Sequence, residues 1–217
     1  MITFENVTAT YKKNTGIFNV SFEVQSGDMV FIMGPTGAGK STVLKTIYKD
    51  VQINSGKILL DKEDISKIKS IKKISELRRK IGMIFQDFKL LNDRTVFDNV
   101  ALPLRIEGYQ YKDIVRLVKE ALLKIDLPGT EKLYPLELSG GEQQRICIAR
   151  ALVKNPVIIL ADEPTGNLDP NISDEILDLL EVCTNNGAAV LMSTHNFPLI
   201  KPRNKTFIEL NQGRMVE

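Results

Sequence analysis

The chain has 217 residues, of which 43% are hydrophobic and 26% charged, so its composition predicts a globular protein with a well-buried core. Its formal net charge of +2 argues against a protein that coats a nucleic-acid backbone, and we expect no nucleic acid among its partners. No apolar run reaches the roughly 18 residues that a membrane-spanning helix needs, and the first residues lack the pattern of a secretory signal.

Strands and turns are predicted for the first 60 residues, because short alternating or β-branched apolar segments are separated by polar clusters. The segment at 29–33 is a continuous apolar run, which is typical of a strand buried on both faces in a parallel sheet. The predicted elements are strands at 2–7, 17–24, 29–33 and 57–60, turns at 12–16 and 25–28, and a helix from 40 to about 49.

The rest of the chain alternates apolar strands with helices, which predicts an α/β core. The predicted strands lie at 81–85, 157–161, 188–193 and 206–210, the last of them closing the sheet, and the predicted helices at 109–126, 139–153 and 173–182. A helical block at about 87–150 is then an insert within a single domain that spans residues 1–217.

The two cysteines, Cys147 and Cys183, lie far apart in segments of helical periodicity. We predict that both are small buried hydrophobic residues in a reducing compartment, because free cysteine is among the residue types most often buried. Neither has the spacing of a metal ligand, so no zinc site is expected.

A phosphate-binding loop is predicted between the strand at 29–33 and the helix that follows it. Glycines let the backbone curl around an anion, and the helix adds unpaired N–H groups and the positive end of its dipole. We expect Lys40 to place a charge beside the β- and γ-phosphates of ATP, and Ser41 to place a hydroxyl ligand on Mg²⁺. The predicted ATP-binding segment comprises Gly34, Pro35, Thr36, Gly37, Ala38, Gly39, Lys40, Ser41 and Thr42.

Two carboxylates, Asp162 and Glu163, follow the predicted buried strand at 157–161. A carboxylate at the end of a parallel strand beside a phosphate-binding loop is placed to hold Mg²⁺, and we assign that role to Asp162. Glu163 lies one residue further on, so we predict that it polarises the attacking water. The alternative is that both acids cap the following helix, and the phosphate-binding loop in the same chain favours the catalytic interpretation.

A second anion-binding helix terminus is predicted at residues 139–142, Ser-Gly-Gly-Glu. Ser139 and Glu142 have the spacing of a capping box at the start of a helix. The two glycines between them are poor helix formers, but they leave the backbone N–H groups open to the close approach of an anion. An ordinary capped helix explains the serine and the glutamate but not the two glycines.

Residues 138–145, Leu-Ser-Gly-Gly-Glu-Gln-Gln-Arg, closely resemble the signature motif of the ABC ATPases. The resemblance covers the whole chain and implies a P-loop NTPase fold of the α/β class with a mixed core sheet, an N-terminal antiparallel β-subdomain and an inserted α-helical subdomain. It also implies hydrolysis of ATP to ADP and phosphate by a head-to-tail homodimer, in which Ser139, Gly140, Gly141 and Glu142 of one subunit complete the ATP site of the other.

The same resemblance gives roles to residues that chemistry alone does not single out. Tyr11 resembles the aromatic residue that stacks on adenine, with a half-buried strand tyrosine as the alternative. Gln86 resembles the glutamine that contacts Mg²⁺ or the water and senses a membrane partner, and His195 the histidine that contacts the γ-phosphate. Asn167-Leu168-Asp169 resembles the loop that crosses the dimer interface, with Asp169 at the ATP site.

The implied site therefore has catalytic and metal-binding members. The implied catalytic residues are Glu163, His195 and Gln86, and the implied Mg²⁺ ligands are Ser41, Gln86 and Asp162. One residue departs from the family pattern, because Asn196 stands after His195 where the family usually has an acid. The departure concerns the local loop and leaves the residues for hydrolysis in place.

Within the family, the sequence favours an ATPase with its membrane subunit on a separate polypeptide. DNA-repair and chromosome ATPases separate the two motifs by a long coiled coil, and translation factors of this family carry two ATPase domains; this chain shows neither. Residues 93–101, Asp-Arg-Thr-Val-Phe-Asp-Asn-Val-Ala, resemble the cell-division group of the family. That resemblance implies a peripheral ATPase on the cytoplasmic face of a bacterial inner membrane, coupled through an integral membrane partner to peptidoglycan hydrolysis. The alternative is the ATPase of a lipoprotein-release or macrolide-export transporter.

Two further surfaces carry open interpretations. Phe88, Leu90, Leu91 and Phe97 are candidate contacts for the membrane partner, with core residues of the helical insert as the alternative. The Lys- and Arg-rich stretch at 62–80 is expected to be a solvated helix or loop, with a face that touches anionic lipid as the alternative.

Overall fold

An antiparallel sheet of four strands forms the N-terminal part of the chain. The structure is a computed structural model that describes residues 1–12, 15–166 and 168–216. The strands of this sheet are β1 (Ile2–Lys12), β2 (Thr15–Val24), β4 (Ser55–Leu60) and β5 (Glu63–Asp64), in the order β2-β1-β4-β5. Strands β1 and β2 extend into the turn predicted at 12–16, of which Lys13 and Asn14 lie outside the described residues.

A second sheet of six strands forms the centre of the molecule. Its strands are β3 (Met29–Met33), β6 (Ile81–Ile84), β7 (Ile158–Asp162), β8 (Ala189–Thr194), β9 (Thr206–Asn211) and β10 (Arg214–Met215). Their order is β10-β9-β3-β8-β7-β6, with β10 antiparallel to β9 and the other pairs parallel. The strand predicted to close the sheet is therefore β9, and the short β10 continues the sheet beyond it.

Helices cover both faces of the central sheet, which explains why β3, β6, β7 and β8 are continuous apolar runs. On one face, α1 (Lys40–Ile47) packs into a core shared with the antiparallel sheet. On the other face lie α5 (Gly140–Leu152) and α6 (Pro170–Asn185). Helix α6 begins before the predicted residue 173, because Asp169 accepts hydrogen bonds from two N–H groups of its first turn and Pro170 is suited to its first position.

A third core lies among three helices that follow one another in the chain. Helices α3 (Val96–Glu107) and α4 (Tyr111–Lys124) pack with α5 around buried aliphatic side chains. The remaining helices are α2 (Ile71–Arg79) and the short α7 (Phe197–Ile200), and 3₁₀ turns lie at Pro135–Glu137 and Lys201–Arg203. No helix within the described ranges is both long enough and apolar enough to cross a bilayer.

The basic stretch at 62–80 contains β5 and α2, and α2 lies largely at the surface. Leu77 is its only fully buried residue, and Ile71 is 86% exposed. The stretch thus contains a short strand and a largely solvated helix, and a face that touches anionic lipid stays a prediction.

Both cysteines are free and buried, as predicted. Burial raises the pKa of the Cys147 thiol to about 12 and that of the Cys183 thiol to about 11. Since the thiolate is the nucleophilic form, both thiols are unreactive near neutral pH.

The loop before α3 is organised by one fully buried side chain, Asn99. Its Oδ1 accepts a hydrogen bond from Leu91 N–H at 2.8 Å, and its Nδ2 donates to the carbonyl oxygens of Leu91, Arg94 and Thr95 at 3.0–3.2 Å. Asn99 therefore satisfies backbone groups on both sides of the segment at 91–95.

We predict that Asn99→Ala lowers the free energy of unfolding by about 2–4 kcal/mol, because it removes the partner of Leu91 N–H and of the Arg94 carbonyl and leaves a gap at a fully buried position. Denaturant unfolding measures the effect. Asn186→Ala, which removes one exposed side-chain hydrogen bond to Val182, is the matched control and should cost no more than about 0.5 kcal/mol. Equal effects of the two substitutions would show that the Asn99 network does not hold this loop.

Candidate nucleotide site

The loop from Gly34 to Gly39 joins β3 to α1 and requires two of its glycines. Gly34 has φ 144°, and a Cβ there would lie 2.1 Å from the carbonyl oxygen of Leu210. Gly39 has φ 102°, and a Cβ there would lie 2.8 Å from Ile17 Cγ2. Because Gly39 precedes α1 and carries no side chain, the N–H groups of the first helical turn are left open towards the loop, as anion binding needs.

Lys40 begins α1 and points into this loop. Its Nζ donates to the carbonyl oxygens of Gly34 at 2.8 Å and Pro35 at 3.2 Å, and it lies 3.3 Å from Glu163 Oε1. The side chain is only 4% exposed, so its charge is held almost entirely by these three oxygens. A buried cation is stable only with such partners.

Asp162 is hydrogen-bonded by two hydroxyl groups from different elements. Ser41 Oγ donates to Asp162 Oδ1 at 2.8 Å, and Ser193 Oγ donates to the same oxygen at 2.7 Å. Ser193 also accepts a hydrogen bond from Glu163 N–H at 2.9 Å, because β7 and β8 pair with Asp162 opposite Ser193. Sequence reasoning did not single out Ser193, although its place at the end of an apolar strand beside His195 was a signal.

The residues around Asp162 fit a magnesium ion. Mg²⁺ prefers oxygen ligands and is usually held by one or two carboxylates together with substrate phosphates. The hydroxyl oxygen of Ser41 and the carboxylate of Asp162 lie side by side at the end of the loop. No cluster of three or more His, Cys, Asp or Glu side chains suited to a metal occurs among the described residues.

Glu163 links the loop to His195. Its Oε2 lies 2.9 Å from His195 Nδ1, while its Oε1 faces Lys40. The backbone of Glu163 has φ 45°, an uncommon conformation for a non-glycine residue, and its N–H is fixed by Ser193. Such strain at a carboxylate points to a residue whose orientation matters.

Gln86 and Glu163 approach the same point of the chain. A Cβ placed on Gly166 would lie 3.6 Å from Gln86 Nε2 and 3.7 Å from Glu163 Oε2. The amide and the carboxylate thus converge on Gly166, although they follow different strands of the sheet.

Tyr11 is 52% exposed near the end of β1, and the neighbouring Gly16 lies against Gly39.

The helix terminus at residues 139–142 forms the predicted capping box. Ser139 Oγ accepts from Glu142 N–H at 3.3 Å, and Glu142 Oε2 accepts from Ser139 N–H at 2.8 Å. Hydrogen bonds from the hydroxyl and N–H of Ser139 lower the pKa of Glu142, so this carboxyl stays ionised. Packing against α6 also favours glycine at residue 141, which the sequence did not indicate, since a Cβ there would make a tight contact of 3.0 Å with Ile172 Cγ2. Gly140 has no such constraint, because its nearest contact would be at 3.9 Å.

The predicted site residues fall into two separate groups. The phosphate-binding loop, Asp162, Glu163 and His195 are connected by direct contacts. Five predicted residues instead line a cavity of about 580 Å³ beside α6; these are Ser139, Gly140, Gly141, Glu142 and Asp169. Within the described part of the chain, no residue of the phosphate-binding loop lines that cavity. Asn167 lies outside the described residues.

Comparison with known proteins identifies a family. A family model described as ABC transporter matches residues 17–166. The chain is 47% identical over 216 residues to the cell division ATP-binding protein FtsE of Escherichia coli (strain K12), covering 99% of this chain and 97% of that protein. It is 43% identical over 217 residues to FtsE of Bacillus subtilis (strain 168), covering 100% and 95%.

Solved structures show the same fold. The dimeric structure of MJ0796, a bacterial ABC transporter cassette, aligns with a TM-score of 0.89 at 35% identity and covers 100% of this chain and 97% of that chain. A dimeric post-hydrolysis state of the same cassette, bound to ADP and Pi, gives a TM-score of 0.88 at 34% identity with the same coverage. The predicted ABC fold and the predicted resemblance to the cell-division group are therefore confirmed.

We predict that Ser193→Ala weakens both the fold and ATP hydrolysis. The substitution removes one donor to Asp162 and one acceptor from the strained Glu163 N–H, so we expect a loss of about 1–3 kcal/mol in unfolding free energy and slower hydrolysis. Thermal unfolding and steady-state ATP turnover measure the two effects. The control is Ser26→Ala, which removes an exposed hydroxyl bonded to Gly187. Normal turnover in Ser193→Ala would contradict a positioning role for this hydroxyl.

Proposed function

Because the chain belongs to the ABC transporter family and is an ATPase of the ABC type, we propose that it is the ATP-hydrolysing subunit of a bacterial cell-division complex. In this proposal residues 1–217 are one nucleotide-binding domain with a helical subdomain at about 87–150. It lies peripherally on the cytoplasmic face of the inner membrane, bound to an FtsX-like membrane subunit, and regulates peptidoglycan hydrolysis. One observation carries the ATPase part: Lys40, Glu163 and His195 form a chain of contacts beside a phosphate-binding loop.

The two separated groups of site residues favour a head-to-tail homodimer. The helix terminus at Ser139–Gly141 has the chemistry of an anion site but does not share a cavity with Lys40 in the same chain. A second copy placed head to tail brings this terminus to the phosphates held by the loop of the first. MJ0796, which this chain resembles in fold, has been solved as a dimer.

Contacts of Lys40 suggest how ATP binding prepares hydrolysis. The cation lies 3.3 Å from Glu163 Oε1, so without nucleotide the carboxylate is engaged by Lys40. A γ-phosphate in the loop competes for Lys40 and leaves Glu163 free to orient and polarise a water for in-line attack. His195 then holds Glu163 Oε2 or the phosphate, and Gln86 lies close enough to contact the water.

The magnesium ion belongs to the same proposal. Ser41 and Asp162 would hold it, with Gln86 as a further ligand. When bound, Mg²⁺ neutralises charge on the β- and γ-phosphates. The positive end of the partner's signature helix and Lys40 add to this stabilisation of the transition state.

A groove of about 330 Å³ between α2, β6, α3 and α5 is our candidate for the membrane-subunit contact. Its apolar lining includes Phe85, Leu102, Pro103 and Ile106, and its charged lining comprises Arg78, Arg79, Lys89, Glu107, Arg150 and Lys154. Arg78 and Lys89 are paired with Asp50 and Asp87, whereas the other three cations form no ion pair among the described residues. This excess of positive charge fits an amphipathic segment that carries carboxylates. The predicted contacts Leu90 and Phe97 pack against the helical core instead, and none of the four predicted residues lines the groove.

We predict that Glu163→Gln forms an ATP-dependent dimer that hydrolyses ATP at least about 100-fold more slowly, because the amide keeps the shape but cannot act as a base. Size-exclusion chromatography with and without ATP measures the dimer, and phosphate release measures turnover. The control is Glu120→Gln, an exposed carboxylate paired with Arg116 on α4. Normal turnover in Glu163→Gln would overturn the catalytic assignment.

The partner is tested by capturing tagged Glu163→Gln protein from native membranes with ATP and identifying bound proteins by mass spectrometry. We expect an FtsX-like membrane protein together with division or cell-wall proteins. A lipoprotein-release or macrolide-export permease would replace the cell-division role with the alternative transport role. Ile106→Glu, in the groove, should abolish capture because it places an acid in an apolar wall, whereas Leu91→Glu, outside it, should not. The reverse pattern would move the contact to the surface around Leu91.

A further inference from the structure

The segment that follows Gln86 is held in an unfavourable backbone conformation. Phe88 has φ 59° and Lys89 has φ 51°, so two consecutive non-glycine residues are left-handed. L-amino acids with bulky side chains rarely adopt this conformation, and it persists only where surrounding contacts enforce it. Hydrogen bonds from Phe88 N–H to Phe85 O and from Lys89 N–H to Asp87 O hold the turn locally, and the two residues have a further support outside it.

That support comes from one arginine of α5. Arg150 Nη2 donates to the carbonyl oxygen of Phe88 at 2.7 Å, and Nη1 donates to that of Lys89 at 2.6 Å. The Cys147 thiol, one helical turn earlier, donates to Phe88 at 2.9 Å. Arg150 forms no ion pair among the described residues, so its charge is directed at these carbonyls. A planar guanidinium with parallel N–H donors can bridge two neighbouring carbonyls, whereas a lysine ammonium is a single point charge.

The hydrogen bonds from Arg150 to the carbonyls of Phe88 and Lys89 lie between the proposed groove and the nucleotide site. Arg150 and Lys89 line the groove that we propose for the membrane subunit, and Phe85 lines it as well. Gln86 lies between Phe85 and the strained residues, and its amide converges with Glu163 on Gly166. Any displacement of residues 87–89 is therefore transmitted along a few peptide bonds to the nucleotide site.

We propose that Arg150 is a positioning residue, whose guanidinium holds residues 87–89 in their strained conformation and thereby fixes Gln86 at the nucleotide site. The proposal rests on the proposed function for the role of Gln86. A carboxylate entering the groove competes with the two carbonyls for the guanidinium, so occupation of the groove and placement of Gln86 are linked through this one side chain.

The experiment compares Arg150→Lys with the unchanged chain by two readouts. Hydrogen–deuterium exchange should be about tenfold faster in the peptide spanning residues 85–91, as loss of a charge-assisted hydrogen bond implies. Single-turnover ATP hydrolysis should slow by about tenfold, while ATP affinity stays within about twofold because the phosphate-binding loop is untouched. Arg116→Lys, on α4, is the matched control and should change neither readout.

A double-mutant cycle separates positioning from general stability. In a Gln86→Ala background, Arg150→Lys should not slow hydrolysis further, because the residue that it positions is already absent. Additive losses would overturn the proposal, and so would unchanged exchange at residues 85–91. If Arg150→Lys fails to fold, Arg150→Gln, which keeps one amide donor, takes its place. The exchange result tests the contacts of Arg150 even if the membrane capture fails, so failure of this proposal and failure of the proposed function can be distinguished.

Discussion

The buried cation of Lys40 is the constraint on which the arrangement of the site depends. At 4% exposure it must be compensated within the fold, and the oxygens of Gly34, Pro35 and Glu163 do so. This requirement ties a loop after β3 to a residue after β7, strands that are not neighbours in the sheet. Strand β8 lies between them, and Ser193 at its end and His195 just after it reach the same edge of the sheet. The order of the central strands therefore brings these site residues together.

Most strands of the central sheet and most site motifs could be predicted from the sequence, because each depends on a pattern within one short segment. Strands buried on both faces are continuous apolar runs, so β3, β6, β7 and β8 were predicted within about two residues. The loop before Lys40 and the capping box at Ser139 are also local patterns, and a resemblance to one family then ordered the remaining motifs. Helix α3 was not separated from the helical block, because Pro103 interrupts its pattern and its start depends on Thr95, whose side chain accepts from Asp98 N–H.

What the sequence did not indicate are contacts between segments that are distant along the chain. Ser193 contacts Asp162 because the register of β7 and β8 places the two residues opposite each other. Gly141 lies against Ile172 because α5 packs on α6. The groove is lined by residues of four elements, so no single stretch of sequence indicates it. The sequence instead predicted the apolar residues near 88–97 as contacts for the membrane partner. The sequence also gives no indication of the backbone strain at Phe88 and Lys89, since neither residue type favours a left-handed conformation.

Helix α5 connects these observations. Its first turn carries the proposed anion-binding terminus and packs through Gly141 on α6, while its last turn carries Arg150, which donates to the carbonyls of Phe88 and Lys89. Ile148 and Ile146 bury its two sides in different cores, one with the central sheet and one with α3 and α4. This helix of 13 residues is a continuous element between the two ends. It therefore joins the surface proposed for the membrane subunit to both groups of predicted site residues.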